Sequence, residues 1–163
     1  MIGTVGLESG VQSNYRITHG SWDEAMQVIS QLPEFERDYS VEVLAQRVAN
    51  REYLLLIAWY GERPVAFKLG YALDDERFYS WLGGVIPAYR ELGIGTDLLV
   101  QQEAWILGQG YGVLEVKSRN CFPKMLRLLL KQGYLISHVE PQGQVDQHII
   151  YFSKTFSRLW QST

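Results

Sequence analysis

The sequence predicts a mixed α/β fold, with a mostly antiparallel central sheet of six to seven strands and four helices on its two faces. Three observations carry this reading. Two apolar runs, Tyr53 to Tyr60 and Pro64 to Ala72, flank the turn Gly61-Glu62-Arg63 and read as a hairpin. A third apolar run, Phe78 to Ile86, leads through a glycine-bearing turn into a helical pattern, and strand and helix alternate from there on. Serines, prolines and glycines stand where the periodic segments should begin and stop.

Met1 to Asn14 has glycine and serine without periodicity and reads as an N-terminal arm, leaving 15–163 as one domain. Tyr15-Arg16-Ile17-Thr18 is the first strand. Ser21 with Glu24 forms a capping box, and Ala25, Val28, Ile29 and Leu32 give that helix its apolar face before Pro33 closes it. Ser40 starts a second helix patterned by Val43, Leu44, Arg47 and Val48. After the hairpin and the acidic turn Asp74-Asp75-Glu76 comes the strand Phe78 to Ile86, whose Gly83-Gly84 marks a bulge or a close approach of another backbone or a ligand. Ile94, Leu98, Leu99 and Trp105 or Ile106 pattern a long helix ended by Gly110. Val113 to Ser118 is a strand. Pro123 opens a helix bearing Met125, Leu126, Leu128, Leu129 and Leu130, which Gly133 stops. Tyr134 to Val139 and Gln147 to Phe156 are the last strands, joined through Pro141-Gln142-Gly143.

Bulk properties suit a compact enzyme. The chain has 163 residues, 47% of them hydrophobic and 13% aromatic, enough for a core. A net charge of −3 argues against a nucleic-acid partner, since such domains present a basic excess to phosphates. The one cysteine, Cys121, forbids an intrachain disulfide and suits a reducing cytoplasm. His19, His138 and His148 lack zinc-like spacing, so no metal is expected. No apolar run approaches the roughly 20 residues that cross a bilayer, and no signal-peptide pattern opens the chain.

The most informative stretch runs from Val85-Ile86-Pro87 through Arg90-Glu91-Leu92-Gly93-Ile94-Gly95-Thr96, an apolar strand entering a helix through a glycine turn. The first amides of a helix have no intrahelical acceptor, and the aligned peptide dipoles add roughly half a positive charge there, so such a turn holds an anion. Leu98 stands where a dinucleotide fingerprint needs its third glycine. No lysine lies between Lys68 and Lys117, which excludes a P-loop.

Arg90-x-x-Gly93-x-Gly95 after Val85-x-Pro87 resembles the acetyl-CoA motif of the GCN5-related N-acetyltransferase (GNAT) family, and the order of elements matches that family from Tyr15 to the last strand. The resemblance implies a sheet splayed at the cofactor-binding strand, with acetyl-CoA as cosubstrate. Its pyrophosphate would lie on the amides of Leu92, Gly93, Ile94, Gly95 and Thr96 with Arg90 adding charge, and its pantetheine arm on the backbone of Gly83 and Val85. Arg90 is otherwise an ordinary surface arginine. Asn120 matches the asparagine that touches the pantetheine or the attacking amine, or else is a turn residue. The positions where many members carry a proton-donating tyrosine fall on Arg127 and Leu129, and neither is a phenol. Tyr79, which alternates with Trp81, Gly83 and Val85 on one face of the strand, is the substitute candidate; its alternative is core packing.

The acceptor side implied by the resemblance is the segment between the first two helices, which offers Glu34, Glu36, Asp38 and Tyr39, with Trp81 and Tyr71 as an aromatic wall. Those carboxylates either hold or deprotonate an ammonium group, or form a solvated loop. The expected reaction is direct acetyl transfer to a small-molecule or peptide amine in a ternary complex. The alternatives are a non-catalytic acyl-CoA sensor and a protein N-terminal or lysine acetyltransferase. Neither nucleic acid nor membrane is expected as a partner, and a homodimer is open.

Overall fold

The computed structural model describes residues 14–35 and 39–156; residues 1–13, which hold nearly all of the expected arm, lie outside them. The strands are β1 (Tyr15–His19), β2 (Tyr53–Tyr60), β3 (Arg63–Ala72), β4 (Arg77–Val85), β5 (Val113–Arg119), β6 (Leu135–Glu140) and β7 (Ile149–Thr155). The helices are α1 (Trp22–Ile29), α2 (Val41–Arg47), α3 (Ile94–Gly108) and α4 (Pro123–Lys131). The strands form one seven-stranded sheet in the order β1-β2-β3-β4-β5-β7-β6. Only the β4–β5 ladder is parallel among the registers of β1 with β2, β2 with β3, β5 with β7 and β6 with β7. That ladder runs from Arg77 opposite Val113 to Ser80 opposite Val116, while β4 goes on to Val85 and β5 to Arg119.

The chain divides into two compact units. The first comprises Met1–Tyr71 with Leu82–Gln102. Its core is the fully buried run Leu54–Ala58 of β2 with Val65, Ala66, Phe67 and Leu69 of β3, reached by Ala25, Val28 and Ile29 of α1 and Leu44 of α2. The capping box forms as the sequence predicts: the Glu24 amide donates to Ser21 Oγ at 3.2 Å and the Ser21 amide donates to Glu24 Oε1 at 2.8 Å. α1 ends at Ile29, earlier than Pro33, and Leu32 stays buried in the turn that follows. Val43 is exposed; within α2 only Leu44 is buried, and Val48 is buried just past its end.

The second unit comprises Ala72–Trp81 with Glu103–Thr163. Phe78 lies at its centre, 5.7 Å from the Trp105 ring and 5.2 Å from Tyr111. Of the five apolar residues that the pattern puts on α4, only Leu129 is buried. Tyr134 is buried as well, just ahead of β6, whose Leu135, Ile136 and Val139 are exposed. A short 3-10 turn, Val145–Gln147, precedes β7, which therefore begins at Ile149 and not at Gln147.

Candidate functional site

In the first unit, the end of β4 is fixed by the Ile86 amide, which donates to the Val65 carbonyl at 2.9 Å. A 3-10 turn, Pro87–Tyr89, follows, and then two left-handed residues, Glu91 at φ +65° and Gly93 at φ +87°. This sharp reversal delivers the chain to α3, where Ile94 is buried and Leu92, Gly93 and Glu91 are exposed. The first helical bond runs from the Asp97 amide to the Gly93 carbonyl at 3.0 Å. Hence the amides of Leu92, Gly93, Ile94, Gly95 and Thr96 have no protein acceptor among the described residues. Consecutive open donors at a helix start, carrying the positive end of the dipole, fit a pyrophosphate.

Arg90 braces the same turn. Its Nε donates to the Val85 carbonyl at 2.8 Å, and its Nη2 contacts both oxygens of Glu34 at 2.8 and 2.9 Å. Glu34 lies in the turn after α1, so the structure brings together one residue proposed for the cofactor and one proposed for the acceptor. The paired glycines also have distinct neighbours. A Cβ on Gly84 would stand 2.6 Å from Leu32 Cδ1, and one on Gly83 would stand 3.3 Å from the Phe67 carbonyl oxygen. The close approach inferred from Gly83-Gly84 is therefore met, on these sides, by the chain itself. Tyr39 is half-buried, its ring 5.5 Å from Phe35. Glu36 and Asp38 lie outside the described residues.

In the second unit, Tyr79 on β4 is half-buried, and the Lys117 ammonium lies 5.2 Å from its ring centre and 4.9 Å from that of Tyr151. Tyr151 stacks on His138 at 3.8 Å and donates its hydroxyl to Glu140 at 2.5 Å. That bond to the carboxylate is the main cause raising the Tyr151 pKa. Lys117 and Tyr151 escaped the sequence reading because they meet through the β5–β7 register, which pairs them directly. Asn120 Nδ2 donates to the Val145 carbonyl at 2.9 Å and its amide donates to His148 at 3.2 Å, so it ties the end of β5 to the turn before β7. Its side-chain oxygen has no partner among the described residues. Trp81 is half-buried and Tyr71 buried. Arg127 is exposed and Leu129 buried. Cys121 is a free, exposed thiol. Among the described residues no cluster of histidine, cysteine and carboxylate groups could hold a metal, and no helix is long and apolar enough to cross a membrane.

A family model described as an acetyltransferase (GNAT) domain matches residues 10–116. The solved ribosomal-protein-S18-alanine N-acetyltransferase from Escherichia coli is similar with a TM-score of 0.77 at 16% identity, over 91% of this chain and 98% of that one. A GNAT family acetyltransferase from Elizabethkingia anophelis with acetyl-CoA bound is similar with a TM-score of 0.69 at 18% identity, over 89% and 100%. Naa50 from Arabidopsis thaliana, in complex with the bisubstrate analogue CoA-Ac-MVNAL, has a TM-score of 0.72 at 18% identity, over 88% and 99%. At these identities the likeness is one of fold. A comparison with curated proteins finds no match.

Proposed function

The chain belongs to the GNAT acetyltransferase family, and from that premise we propose that it moves an acetyl group from acetyl-CoA directly to a primary amine within a ternary complex. The observation that carries the proposal is the row of open amides from Leu92 to Thr96 beside the braced Arg90. Acetyl-CoA, when bound, supplies an activated thioester carbonyl and a thiolate leaving group. The amides of Leu92, Gly93, Ile94, Gly95 and Thr96 hold the pyrophosphate, and Arg90 Nη1, which has no partner among the described residues, adds a charged donor. The backbone of Gly83 and Val85 receives the pantetheine arm. Asn120 has its side-chain oxygen available for the pantetheine or the amine. Tyr79, whose ring centre lies 5.2 Å from the Lys117 ammonium, donates a proton to the departing sulfur, and the proton that the amine nitrogen loses as it becomes an amide returns the Tyr79 oxygen to a phenol through solvent.

On the acceptor side we place Glu34, Glu36 and Tyr39 of the segment between α1 and α2, with Trp81 of β4. A peptide amine is a second form of the acceptor. It is favoured by the neighbours that modify a ribosomal-protein alanine or bind a peptide-bearing bisubstrate analogue.

The test is a thiol-release assay with acetyl-CoA across polyamines, amino acids, aminoglycosides and short peptides. Thiol release with at least one class is expected. Binding of acetyl-CoA without release for any amine would favour a non-catalytic acyl-CoA sensor.

A further inference from the structure

We infer that Glu34 is a positioning residue for the cofactor turn, acting through Arg90. The inference rests on the reading of that turn as a pyrophosphate site. Glu34 and Arg90 are far apart in sequence, yet Nη2 of Arg90 reaches both oxygens of the Glu34 carboxylate, at 2.8 and 2.9 Å, while Nε holds the Val85 carbonyl at 2.8 Å. A guanidinium has five N–H donors in a rigid plane. Fixing Nε on one side and Nη2 on another sets that plane, and Nη1 is left without a partner among the described residues.

The approach of Glu34 is built into the fold. Pro33 and Glu34 follow the buried Leu32, whose Cδ1 occupies the space that a Cβ on Gly84 would need, at 2.6 Å. Glu34 Oε1 lies 3.5 Å from the same point. Gly84 thus admits the end of the α1 turn to β4, and that turn carries the carboxylate to Arg90.

Two opposing effects decide the sign. The Glu34 charge repels a phosphate, and it also spares Arg90 the entropy of ordering a long side chain when ligand arrives. The pair is partly exposed, so water screens the repulsion, whereas without Glu34 the guanidinium keeps only its Nε anchor on the Val85 carbonyl and its Nη2 end is freed. Preorganisation should therefore win.

The experiment is calorimetric titration of the full chain with CoA for wild type, Glu34→Ala, Glu34→Gln, Arg90→Ala and Arg90→Ala with Glu34→Ala, each checked by thermal melt. Glu34→Ala should weaken CoA by about fivefold, the scale of an ordinary net hydrogen bond, since the pair is partly exposed. Glu34→Gln, which still accepts from Nη2, should lose less. In the Arg90→Ala background, removal of Glu34 should change nothing further, which a merely structural role of Glu34 would not produce. Equal losses in both backgrounds would overturn the inference, and so would tighter binding by Glu34→Ala, because the carboxylate would then compete with phosphate. Should Glu34→Ala not fold, the same comparison is made with Glu34→Gln. Wild type that fails to bind CoA would overturn the pyrophosphate reading itself, whereas wild-type binding that the Glu34 variants leave untouched would overturn the Glu34 inference alone.

Discussion

The Tyr15 hydroxyl donates to the Asp97 carboxylate, tying β1 to the first turn of α3. Burial first, and then the neighbouring carboxylate, push the Tyr15 pKa well above the ordinary tyrosine range. An acid in the first turn complements the helix dipole, and the tyrosine holds it in place. Tyr15→Phe keeps the ring and removes the bond. Both side chains are half-buried, so the expected loss is about 1 kcal/mol, read as a lower urea midpoint with unchanged slope. An unchanged midpoint would show that solvent replaces the bond at no cost.

The two glycines of the turn should fail differently. Gly93 sits at φ +87°, so Gly93→Ala strains the backbone and should cost about 1–2 kcal/mol of stability. A Cβ at Gly95 would meet nothing nearer than Val85 Cγ2 at 4.0 Å, so the protein itself leaves room there. Gly95→Val should fold and yet bind acetyl-CoA more than about tenfold more weakly, or 1.4 kcal/mol, because the branched side chain obstructs the ligand. Unchanged calorimetric affinity in the folded variant would remove Gly95 from the site.

Tyr134 contributes, through its hydroxyl, to the pH dependence of stability on the alkaline side. It is 1% exposed, and burial, followed by the Glu103 carboxylate beside it, raises its pKa. Lys154 pairs with Glu103 at 2.7 Å and donates to the Gln132 carbonyl at 2.8 Å. The unfolded chain releases the tyrosine proton near pH 10, about the reference value, while the folded chain keeps it. Stability is therefore whole below that pH and falls as pH rises past it. Urea midpoints measured from about pH 9 to 11 should drop more steeply for wild type than for Tyr134→Phe. Parallel profiles would mean that the hydroxyl ionises as readily in the folded state.

The fold is legible in the sequence where one residue type forces one local geometry. Ser21 and Glu24 announce the start of α1, and Gly93 announces a turn, which the structure shows to be left-handed there. It is not legible where the partner is distant. Gly83-Gly84 signals a close approach without naming Leu32 or Phe67 as what approaches. Glu34 reads as part of an acidic loop, since nothing near it in sequence reveals Arg90. Gly20 gave no signal, although a Cβ there would stand 2.1 Å from Ile57 Cγ1. On α4, leucine content overstates burial, because a helix on the outside of a sheet needs only a narrow apolar stripe, here Leu129.

Tyr79 is the sharpest test of the proposed chemistry, because the two positions where the resemblance leads one to expect a proton-donating tyrosine hold Arg127 and Leu129. A general acid in use contributes roughly 10²- to 10⁴-fold. In the proposed step the phenolate left by Tyr79 would be stabilised by the Lys117 ammonium, 5.2 Å from its ring centre. Tyr79→Phe should lower kcat by at least about tenfold with an accepted amine, and leave acetyl-CoA affinity nearly intact, since the ring and its packing remain. Lys117→Met should lower kcat in wild type and have little effect in the Tyr79→Phe background, because the charge it stabilises no longer forms. The measurement is single-turnover kinetics, which separates chemistry from product release. A Tyr79→Phe variant with wild-type single-turnover rate would return Tyr79 to a packing role and assign the proton to water or another group.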